Sequence, residues 1–414
     1  MAFMNILFLH QNFPAQFSHV ATRLAQNPNN KVVAIKQSPS IEMDGIGVVA
    51  YQLKRGTSPD IHPLMQDFEP KILRAEAVAK TANFLKAKEF NPDVVVAHPG
   101  WGETLLLKDI WPDAKYLGYF EYFYSATGQD FDFDPEFSQI DGNEVAKLRL
   151  KNTINLHALN DMDEGITPTN WQLNTYPEWA RDKIKVMHEG IDTEYFCPNP
   201  KQTLSIPEKN LMLSSQDEII TYAARYLEPV RGFHCFMRAL PELLKRRPNA
   251  HVMIMGNNQG GYGPEPSNHD SYVEMMLEEL KGSLDPQRVH ILGRLPKNVY
   301  RNVLQLSSVH VYLTYPFLLS WSMLEAMASG PIIVASDTAP VREIIKDNKN
   351  GLLFDFFDIQ AMVDRVEQAL TLTTRKANAI KKASRKTIED EYNFETCLEK
   401  LIEKIEALAG SVEK

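Results

Sequence analysis

This sequence of 414 residues contains few cysteines, no long apolar run and no excess of positive charge. Its three cysteines, Cys197, Cys235 and Cys397, lie far apart, with no CxxC pair and no metal-ligand spacing. This pattern favours a reduced, cytoplasmic compartment over a disulfide framework. No apolar run approaches the ~18 residues that a membrane-spanning helix needs. A formal net charge of −9 argues against nucleic-acid binding over the whole surface.

What the sequence does contain is an alternation of short aliphatic runs with helical patterns, which is typical of parallel βαβ units. In the first half it predicts strands at "NILFLH", "KVVAIK", "DVVVAH" and "KYLGYF", with helices at 16–26, 70–89 and 143–159. In the second half it predicts strands at "EIITYAA", "HVMIMG", "RVHILG", "VHVYLT" and "PIIVAS". The stretch 195–217 has no periodicity and is interpreted as a linker. The predicted fold class is therefore α/β, with two Rossmann-like domains and ligand sites in the loops after strands.

Two arginines follow the predicted strand "EIITYAA". Arg225 comes at the strand end and Arg231 at the start of the next helix. Two guanidinium groups beside a helix N-terminus suit a diphosphate, because each can form paired, charge-assisted hydrogen bonds. The alternative is that both arginines are solvated or paired with Glu228.

Glu325 is a more informative signal than Gly256. On a helix, Glu325 shares a face with Trp321 and Ala328, and a carboxylate there needs partners. It either completes a capping box that begins at Ser322 or binds a pair of ligand hydroxyls. Gly256 ends a predicted strand and opens a glycine-rich turn without the GK[ST] of a P-loop.

Acidic and imidazole side chains also follow strand-like runs. Asp130, Asp132 and Asp134 alternate in "DFDFDPEF", but the glycine and distant glutamate of an EF-hand are absent, so a solvated acidic loop is favoured over a metal site. A lone histidine after a strand is more often structural than catalytic. Three such histidines are His10, His98 and His188.

Four stretches together resemble family-4 retaining glycosyltransferases of the GT-B fold. They are "GIDTEYFCP" (190–198), "AARYLEPVRGF" (223–233), "LEAMASGPIIVAS" (324–336) and "PVREIIKDNKNGLLF" (340–354). In the first half, "QNFPAQFSHVATRLA" and "HPGWGETLLLKDIWP" are similar to a bacterial branch that builds surface polysaccharides. The resemblance implies an acceptor-binding domain at 1–195 and a donor-binding domain at 196–390, facing each other across a cleft. A helix at 391–414 is expected to pack back on the first domain.

The resemblance also implies roles for single residues. Arg225 and Arg231 match the positions that grip the donor diphosphate, with Arg231 standing where the family often has lysine. Glu325 matches the glutamate that binds the nucleotide ribose, and 293–295 match the loop whose backbone contacts the base. The expected catalytic residues are Arg225, Arg231, Glu121 and His98. The expected donor-binding residues are Gly256, Arg294, Leu295, Phe317, Leu319, Ser320, Trp321 and Glu325.

Three departures from the family pattern stand out. Phe317 replaces a glutamate that usually contacts the donor sugar, and Glu121 stands where many relatives have a histidine near the reacting carbon. The N-terminal loop carries Phe13, Pro14 and Ala15 in place of paired glycines. The first two departures keep open a catalytically silent partner of another transferase, and the two-domain frame keeps open an epimerase or a hydrolase.

The expected reaction is transfer of a sugar from a UDP- or GDP-sugar to an acceptor hydroxyl with retained anomeric configuration. No metal or other cofactor is expected, since the two arginines and the helix amides near 319–321 are expected to stabilise the leaving diphosphate. The expected partners are the nucleotide sugar and a glycan or lipid-linked acceptor. The basic stretch 375–386 leaves open a peripheral contact with an anionic membrane, with a solvated helix face as the alternative.

Overall fold

A computed structural model describes residues 3–138, 140–206 and 209–410 of the chain. These residues form two compact units. The first contains the described residues of 1–127, 139–190 and 395–414, and the second those of 128–138 and 191–394. No helix in the described ranges is both long and apolar enough to cross a membrane.

The first unit is a parallel sheet of seven strands with helices on its faces. Its strands are β1 (Met4–Leu9), β2 (Asn30–Gln37), β3 (Ile46–Tyr51), β4 (Val94–Ala97), β5 (Lys115–Tyr119), β6 (Glu164–Thr167) and β7 (Ile184–Val186). Its helices are α1 (Ser18–Ala25), α2 (Glu69–Ala87), α3 (Leu107–Ile110), α4 (Gly142–Lys151), α5 (Thr153–Asp161), α6 (Asn170–Thr175) and α7 (Glu178–Arg181). The sheet order is β3-β2-β1-β4-β5-β6-β7.

The second unit repeats this arrangement with six parallel strands. They are β10 (Ile219–Tyr226), β11 (His251–Asn257), β12 (Val289–Gly293), β13 (Val309–Tyr312), β14 (Ile332–Ser336) and β15 (Leu352–Phe354), in the order β12-β11-β10-β13-β14-β15. Its helices are α8 (Phe233–Arg246), α9 (Tyr272–Glu279), α10 (Lys297–Leu306), α11 (Trp321–Ser329), α12 (Ala339–Ile344), α13 (Ile359–Thr371) and α14 (Thr374–Glu391). The last helix, α15 (Phe394–Gly410), groups with the first unit from residue 395 onward.

Continuous apolar runs explain why the strands form the centre of each unit. Strand β4, with the sequence VVVA, is buried at every position, as are β13 and β14. A parallel strand covered by helices on both faces needs such a run. The prediction of an α/β chain with parallel sheets is confirmed, and every strand quoted from the sequence lies on an observed strand.

The structure differs from the sequence-based prediction in three places. The stretch 195–217, interpreted as a linker, contains an antiparallel hairpin of β8 (Thr203–Ile206) and β9 (Leu211–Ser214), while 207–208 lie outside the described residues. The helix predicted at 143–159 is two helices, α4 and α5, with Asn152 between them. The two units divide at 190/191 rather than at 195, and residues 128–138 belong to the second unit.

Candidate functional site

The order of the second sheet identifies its ligand-binding edge. Strand β10 lies between β11 and β13, where the strand order reverses, and ligands in open α/β sheets bind beside the carboxyl ends of such strands. Arg225 lies near the end of β10 with its side chain exposed, 5.3 Å from the ring centroid of Tyr226. Arg231 closes the 3₁₀ turn Pro229–Arg231 that follows. Both arginines therefore lie at the edge where the sequence predicted them.

Arg231 is almost completely buried, with 4% of its surface exposed. Its Nη1 donates hydrogen bonds to Thr314 Oγ1 at 2.8 Å and to the carbonyl oxygen of Leu318 at 2.7 Å. Neither partner is charged, and in the described ranges no carboxylate forms an ion pair with this guanidinium. The Glu228 carboxylate attracts this guanidinium electrostatically but forms no hydrogen bond with it. A buried cation without a directly bonded anion is costly, so this position favours an anionic ligand.

The alternative, that Glu228 pairs with both arginines, does not fit the geometry. The Glu228 carboxylate is buried and accepts hydrogen bonds from the backbone N–H groups of Tyr262 at 2.8 Å and Gly263 at 3.1 Å. It thus fixes the glycine-rich turn after β11. The next glycine, Gly232, lets the chain turn from Arg231 into α8: its φ is +67°, and a Cβ atom there would lie 2.4 Å from Leu313 Cβ.

The N-terminus of α11 lies directly after Leu318, the carbonyl partner of Arg231. Ser320 is the N-cap, and its side chain accepts a hydrogen bond from the N–H of Ser322. The N–H of Ser320 itself donates to the Tyr312 hydroxyl at 2.9 Å, so it is not available to a phosphate. The N–H groups of Leu319 and Trp321 make no hydrogen bond to any described residue. Two of the three predicted backbone donors thus remain open to an anion.

Phe317 is buried, with 4% of its surface exposed, rather than presented to solvent. Its ring meets that of Tyr262 edge to face at 5.1 Å, and the guanidinium carbon of Arg231 lies 5.7 Å from its centroid. The side chain thus packs the loop between β13 and α11 against the glycine-rich turn, and it forms one wall beside Arg231.

Glu325 is partly buried on α11, where its Oε2 accepts a hydrogen bond from the Tyr300 hydroxyl at 2.8 Å. Burial raises the pKa of its carboxyl group, while Tyr300 and Lys297 act to lower it. The capping-box alternative is wrong, because the N-cap is Ser320 and Ser322 already lies inside the helix. The second oxygen, Oε1, has no hydrogen-bond partner among the described residues, so it keeps its capacity to accept a hydrogen bond from a ligand hydroxyl.

We expect Glu325→Gln to keep the fold and to lose preference for ribose over 2′-deoxyribose, since a carboxylate accepts two hydroxyl hydrogen bonds more strongly than an amide. The ratio of affinities for a nucleoside diphosphate and its 2′-deoxy form, measured by calorimetry, should fall roughly tenfold. Tyr300→Phe is the matched control, because it removes only the observed partner. An unchanged ratio in Glu325→Gln would assign the carboxylate to its bond with Tyr300 alone.

Three further predicted residues lie on β11 or directly after β12. Gly256 is the penultimate residue of β11, where a Cβ atom would lie 2.5 Å from the carbonyl oxygen of Ala224, so the close strand contact requires glycine. Arg294 is exposed after β12, and Leu295 packs on the core of the second unit. No hydrogen bond joins these three residues to Arg231 or Glu325 within the described part of the chain.

The first unit has its own strand-order reversal, between β1 and β4. His10 follows β1 and His98 follows β4, and their ring centroids are 5.4 Å apart. Burial, and then the neighbouring His98, lowers the pKa of His10 to about 3, so its imidazole is neutral. Its Nδ1 accepts the N–H of Asn12 at 2.9 Å, which leaves the proton on Nε2. The third predicted histidine, His188, accepts the N–H of Gly190 on Nδ1 at 2.9 Å, a structural role.

His98 is stacked between Trp101 and Tyr119, at centroid distances of 5.6 and 5.7 Å. Its Nε2 lies 3.3 Å from Oε2 of Glu121, the second residue after β5, so the structure brings the two predicted catalytic residues of this unit together. Glu121 is the more exposed partner, with 39% of its side chain accessible against 6% for His98. In this pair the Glu121 carboxylate faces solvent, while the His98 imidazole behind it is held in place by two aromatic rings.

Glu103 belongs to the same region and was not singled out from the sequence. It is completely buried, and its Oε1 accepts a hydrogen bond from the Tyr51 hydroxyl at 2.5 Å. Its Oε2 has no hydrogen-bond partner among the described residues. Burial raises the pKa of Glu103 to about 7, against the lowering effects of Tyr51, Arg74 and His98. Its place in "HPGWGE", shortly after His98, was the only available signal.

We expect Glu103 to make stability depend on pH. A carboxyl group with a raised folded-state pKa stabilises the protein while it stays protonated, and that contribution is lost as the pH rises from its unfolded value towards about 7. Full ionisation should cost on the order of 3 kcal/mol. Glu103→Gln keeps an acceptor for Tyr51 and cannot ionise. The difference in thermal midpoint, variant minus wild type, should increase from pH 5 to pH 8. A difference that stays constant would mean that Glu103 does not titrate in this range.

The acidic stretch at 130–134 differs from its prediction. Asp134 is buried, so the interpretation of a solvated loop is wrong for this residue. Asp132 accepts the N–H of Gly128 at 2.9 Å. Within the described residues no group of three or more His, Cys, Asp or Glu side chains could hold a metal ion. The alternation of acids reflects local turn hydrogen bonds and one buried carboxylate.

Comparison with known families covers both units. Residues 28–196 match the family model of the Glycosyl transferase family 4 group, and residues 208–387 match that of Glycosyl transferases group 1. A D-inositol 3-phosphate glycosyltransferase of Corynebacterium aurimucosum is 22% identical, over 70% of this chain and 66% of its own length. The match covers 58% to 66% of the first three curated relatives.

Solved structures reproduce the fold over nearly the whole chain. A sucrose-phosphate synthase from Thermosynechococcus elongatus superposes with a TM-score of 0.74 at 15% identity, covering 99% of this chain and 100% of that one. The Anabaena protein Alr3699/HepE, in complex with UDP-glucose, gives a TM-score of 0.68 at 16% identity, covering 98% and 100%. The fold, two Rossmann-like domains in tandem, is that of these solved structures.

Proposed function

The chain belongs to the family-4 glycosyltransferases with the GT-B fold, and from that premise we propose that it transfers a sugar from a nucleoside diphosphate to an acceptor hydroxyl with retention. The observation that carries the proposal is Arg231, a buried guanidinium without an ion-pair partner in the described ranges. It lies at the strand-order reversal, beside an α11 N-terminus with two open N–H groups. A diphosphate would be the directly bonded anion that this guanidinium lacks.

In the proposed reaction the bond between the anomeric carbon and the diphosphate oxygen breaks, and the leaving group gains negative charge. Arg231, the more exposed Arg225 and the N–H groups of Leu319 and Trp321 stabilise this charge through positions fixed before the reaction begins. This is why the proposal requires no metal. The acceptor oxygen attacks the same face of the sugar, and the departing phosphate takes the acceptor proton, so the configuration is retained.

The first unit is proposed to hold the acceptor. His98 and Glu121 lie at the carboxyl edge of its sheet, within 3.3 Å of each other. Glu121 is exposed enough to accept a hydrogen bond from an acceptor hydroxyl, and His98 fixes the carboxylate in place. Because the two residues form one pair, we assign them a shared role in orienting the acceptor rather than ranking one above the other.

We propose a UDP-sugar as the first donor to test. Alr3699/HepE was solved with UDP-glucose, which favours a UDP-sugar here and keeps a GDP-sugar as the alternative. A glycan or lipid-linked acceptor, a cytoplasmic location and a role in surface polysaccharide synthesis stay predictions. For membrane contact, Arg385 in the basic stretch 375–386 is not available, since its guanidinium donates to the carbonyl oxygens of Ala328 and Thr193.

Product analysis tests this proposal. The purified protein is incubated with a panel of UDP- and GDP-sugars and candidate acceptors, and products are resolved by chromatography and NMR. A glycoside with the donor's anomeric configuration is the expected result. An altered sugar nucleotide identifies an epimerase, a free sugar a hydrolase, and binding without turnover a silent partner. An inverted glycoside overturns the retaining mechanism alone.

A further inference from the structure

The segment 128–138, "GQDFDFDPEFS", lies in sequence between two parts of the first unit but belongs to the second. Its aromatic residues explain why it packs there. The Phe133 ring lies 5.1 Å from those of Tyr315, Phe356 and Phe357. Phe137 lies 5.0 Å from His234 and 5.7 Å from Tyr272. The segment is therefore an integral part of the second unit's packing.

Asp134 is the buried polar centre of this segment, with 2% of its surface exposed. Its Oδ2 accepts a hydrogen bond from the Tyr315 hydroxyl at 2.6 Å and lies 3.1 Å from Nε2 of His234. Its Oδ1 accepts the N–H of Glu136 at 3.0 Å. Although burial acts to raise the pKa of Asp134, the hydrogen bonds from His234, Tyr315 and Glu136 hold it below its ordinary value. The carboxylate is thus ionised and bound on both oxygens.

Both side chains that bind Asp134 Oδ2 come from the segments that surround Arg231. Tyr315 lies between Thr314 and Leu318, the two residues that accept hydrogen bonds from Arg231, and its N–H donates to the carbonyl oxygen of Val230 at 2.9 Å. His234 lies in the first turn of α8, directly after the Arg231 turn. One carboxylate therefore ties together the loop after β13 and the start of α8.

We propose that Asp134 is a positioning residue that fixes Arg231 in the orientation in which it binds the donor diphosphate. The inference rests on the proposed function, because it assigns Asp134 an effect through an arginine that binds phosphate. Without the carboxylate, the Tyr315 hydroxyl and His234 lose a shared partner, and the loop 314–318 is free to shift. Arg231 then keeps its charge but loses the fixed geometry that paired hydrogen bonds require.

The test is calorimetric titration of UDP and uridine, with GDP and guanosine as the second pair, against wild type, Asp134→Asn and Tyr315→Phe. Both variants should lower diphosphate affinity roughly tenfold, because that is the effect of losing one hydrogen bond to a charged group. Nucleoside affinity should stay unchanged. Glu136→Gln is the matched control from the same segment, since its ion pair with Arg238 is on an accessible surface. Tyr315→Phe keeps the test valid if Asp134→Asn does not fold. Equal losses for diphosphate and nucleoside overturn the proposal.

A second comparison separates this proposal from the proposed function. In an Arg231→Ala background, Asp134→Asn should have no further effect on diphosphate affinity, because the carboxylate acts through the arginine. If Arg231→Ala weakens diphosphate binding and Asp134→Asn does not, this inference fails and the proposed function stands. If Arg231→Ala leaves diphosphate affinity unchanged, the proposed function fails, and the positioning role fails with it.

Discussion

Arg231→Ala should reduce the rate of sugar transfer by roughly 10²–10³-fold, the effect of removing one fixed donor to a developing negative charge. It should also weaken binding of a nucleoside diphosphate far more than binding of the nucleoside, because the guanidinium is proposed to contact phosphate only. The size of the effect follows from burial. A charge with 4% exposure acts in a region of low polarity, where water does not screen it.

Two control variants sharpen this result. Arg231→Lys keeps a positive charge at a position where the resembled family often has lysine, so it should retain more activity than Arg231→Ala. Arg225→Ala should lose less, since Arg225 is exposed and its contribution is partly screened. The measurements are initial rates of transfer and calorimetric affinities for two pairs of ligands, UDP with uridine and GDP with guanosine. Equal losses of diphosphate and nucleoside affinity in Arg231→Ala would mean that the arginine only supports the fold.

Much of the fold was predictable because burial on both faces leaves a local signature in sequence. Strands such as VVVA at β4 are continuous apolar runs, and the order in which strands and helices alternate dictates parallel sheets. The hairpin at 203–214 was not predictable in this way, since its two strands have four residues each and are exposed or partly exposed at every position but one. Short exposed strands depend on pairing, which local composition does not encode.

In the candidate site, too, local features were predictable from the sequence and long-range contacts were not. The place of Arg231 followed from a strand end and a helix start. Its lack of an ion-pair partner did not, because that depends on Glu228 turning towards the backbone of Tyr262 and Gly263. Asp134 was expected in solvent because its neighbours are acidic. Its partner Tyr315 is 181 residues away in sequence, and no periodicity reports a contact of that separation. Long-range polar partners are what sequence reasoning missed.

Phe317 stands where the family that this sequence resembles usually has a glutamate. We nevertheless expect Phe317→Glu to reduce transfer rather than improve it. The position is buried against Tyr262, and Arg231 lies 5.7 Å from the ring centroid. An introduced carboxylate there would either be buried without a partner or pair with Arg231. In the second case it would neutralise the charge that the diphosphate is proposed to need. We expect a loss of tenfold or more in kcat/KM, equivalent to about 1.4 kcal/mol of barrier.

Two variants separate the possible causes of that loss. Phe317→Gln has the size of the glutamate without its charge, so activity above that of Phe317→Glu would assign the difference to competition for Arg231. Phe317→Leu keeps an apolar contact with Tyr262 and should retain the most activity of the three. The donor sugar would then be held by backbone amides of 318–320 or would present an apolar edge to the ring, as a 6-deoxy sugar does. Of those amides, the one at Ser320 is already bonded to Tyr312, and the one at Leu319 is proposed to bind the diphosphate, which favours Leu318. Faster transfer by Phe317→Glu with the same donor would instead identify position 317 as a damaged sugar contact and favour the catalytically silent partner.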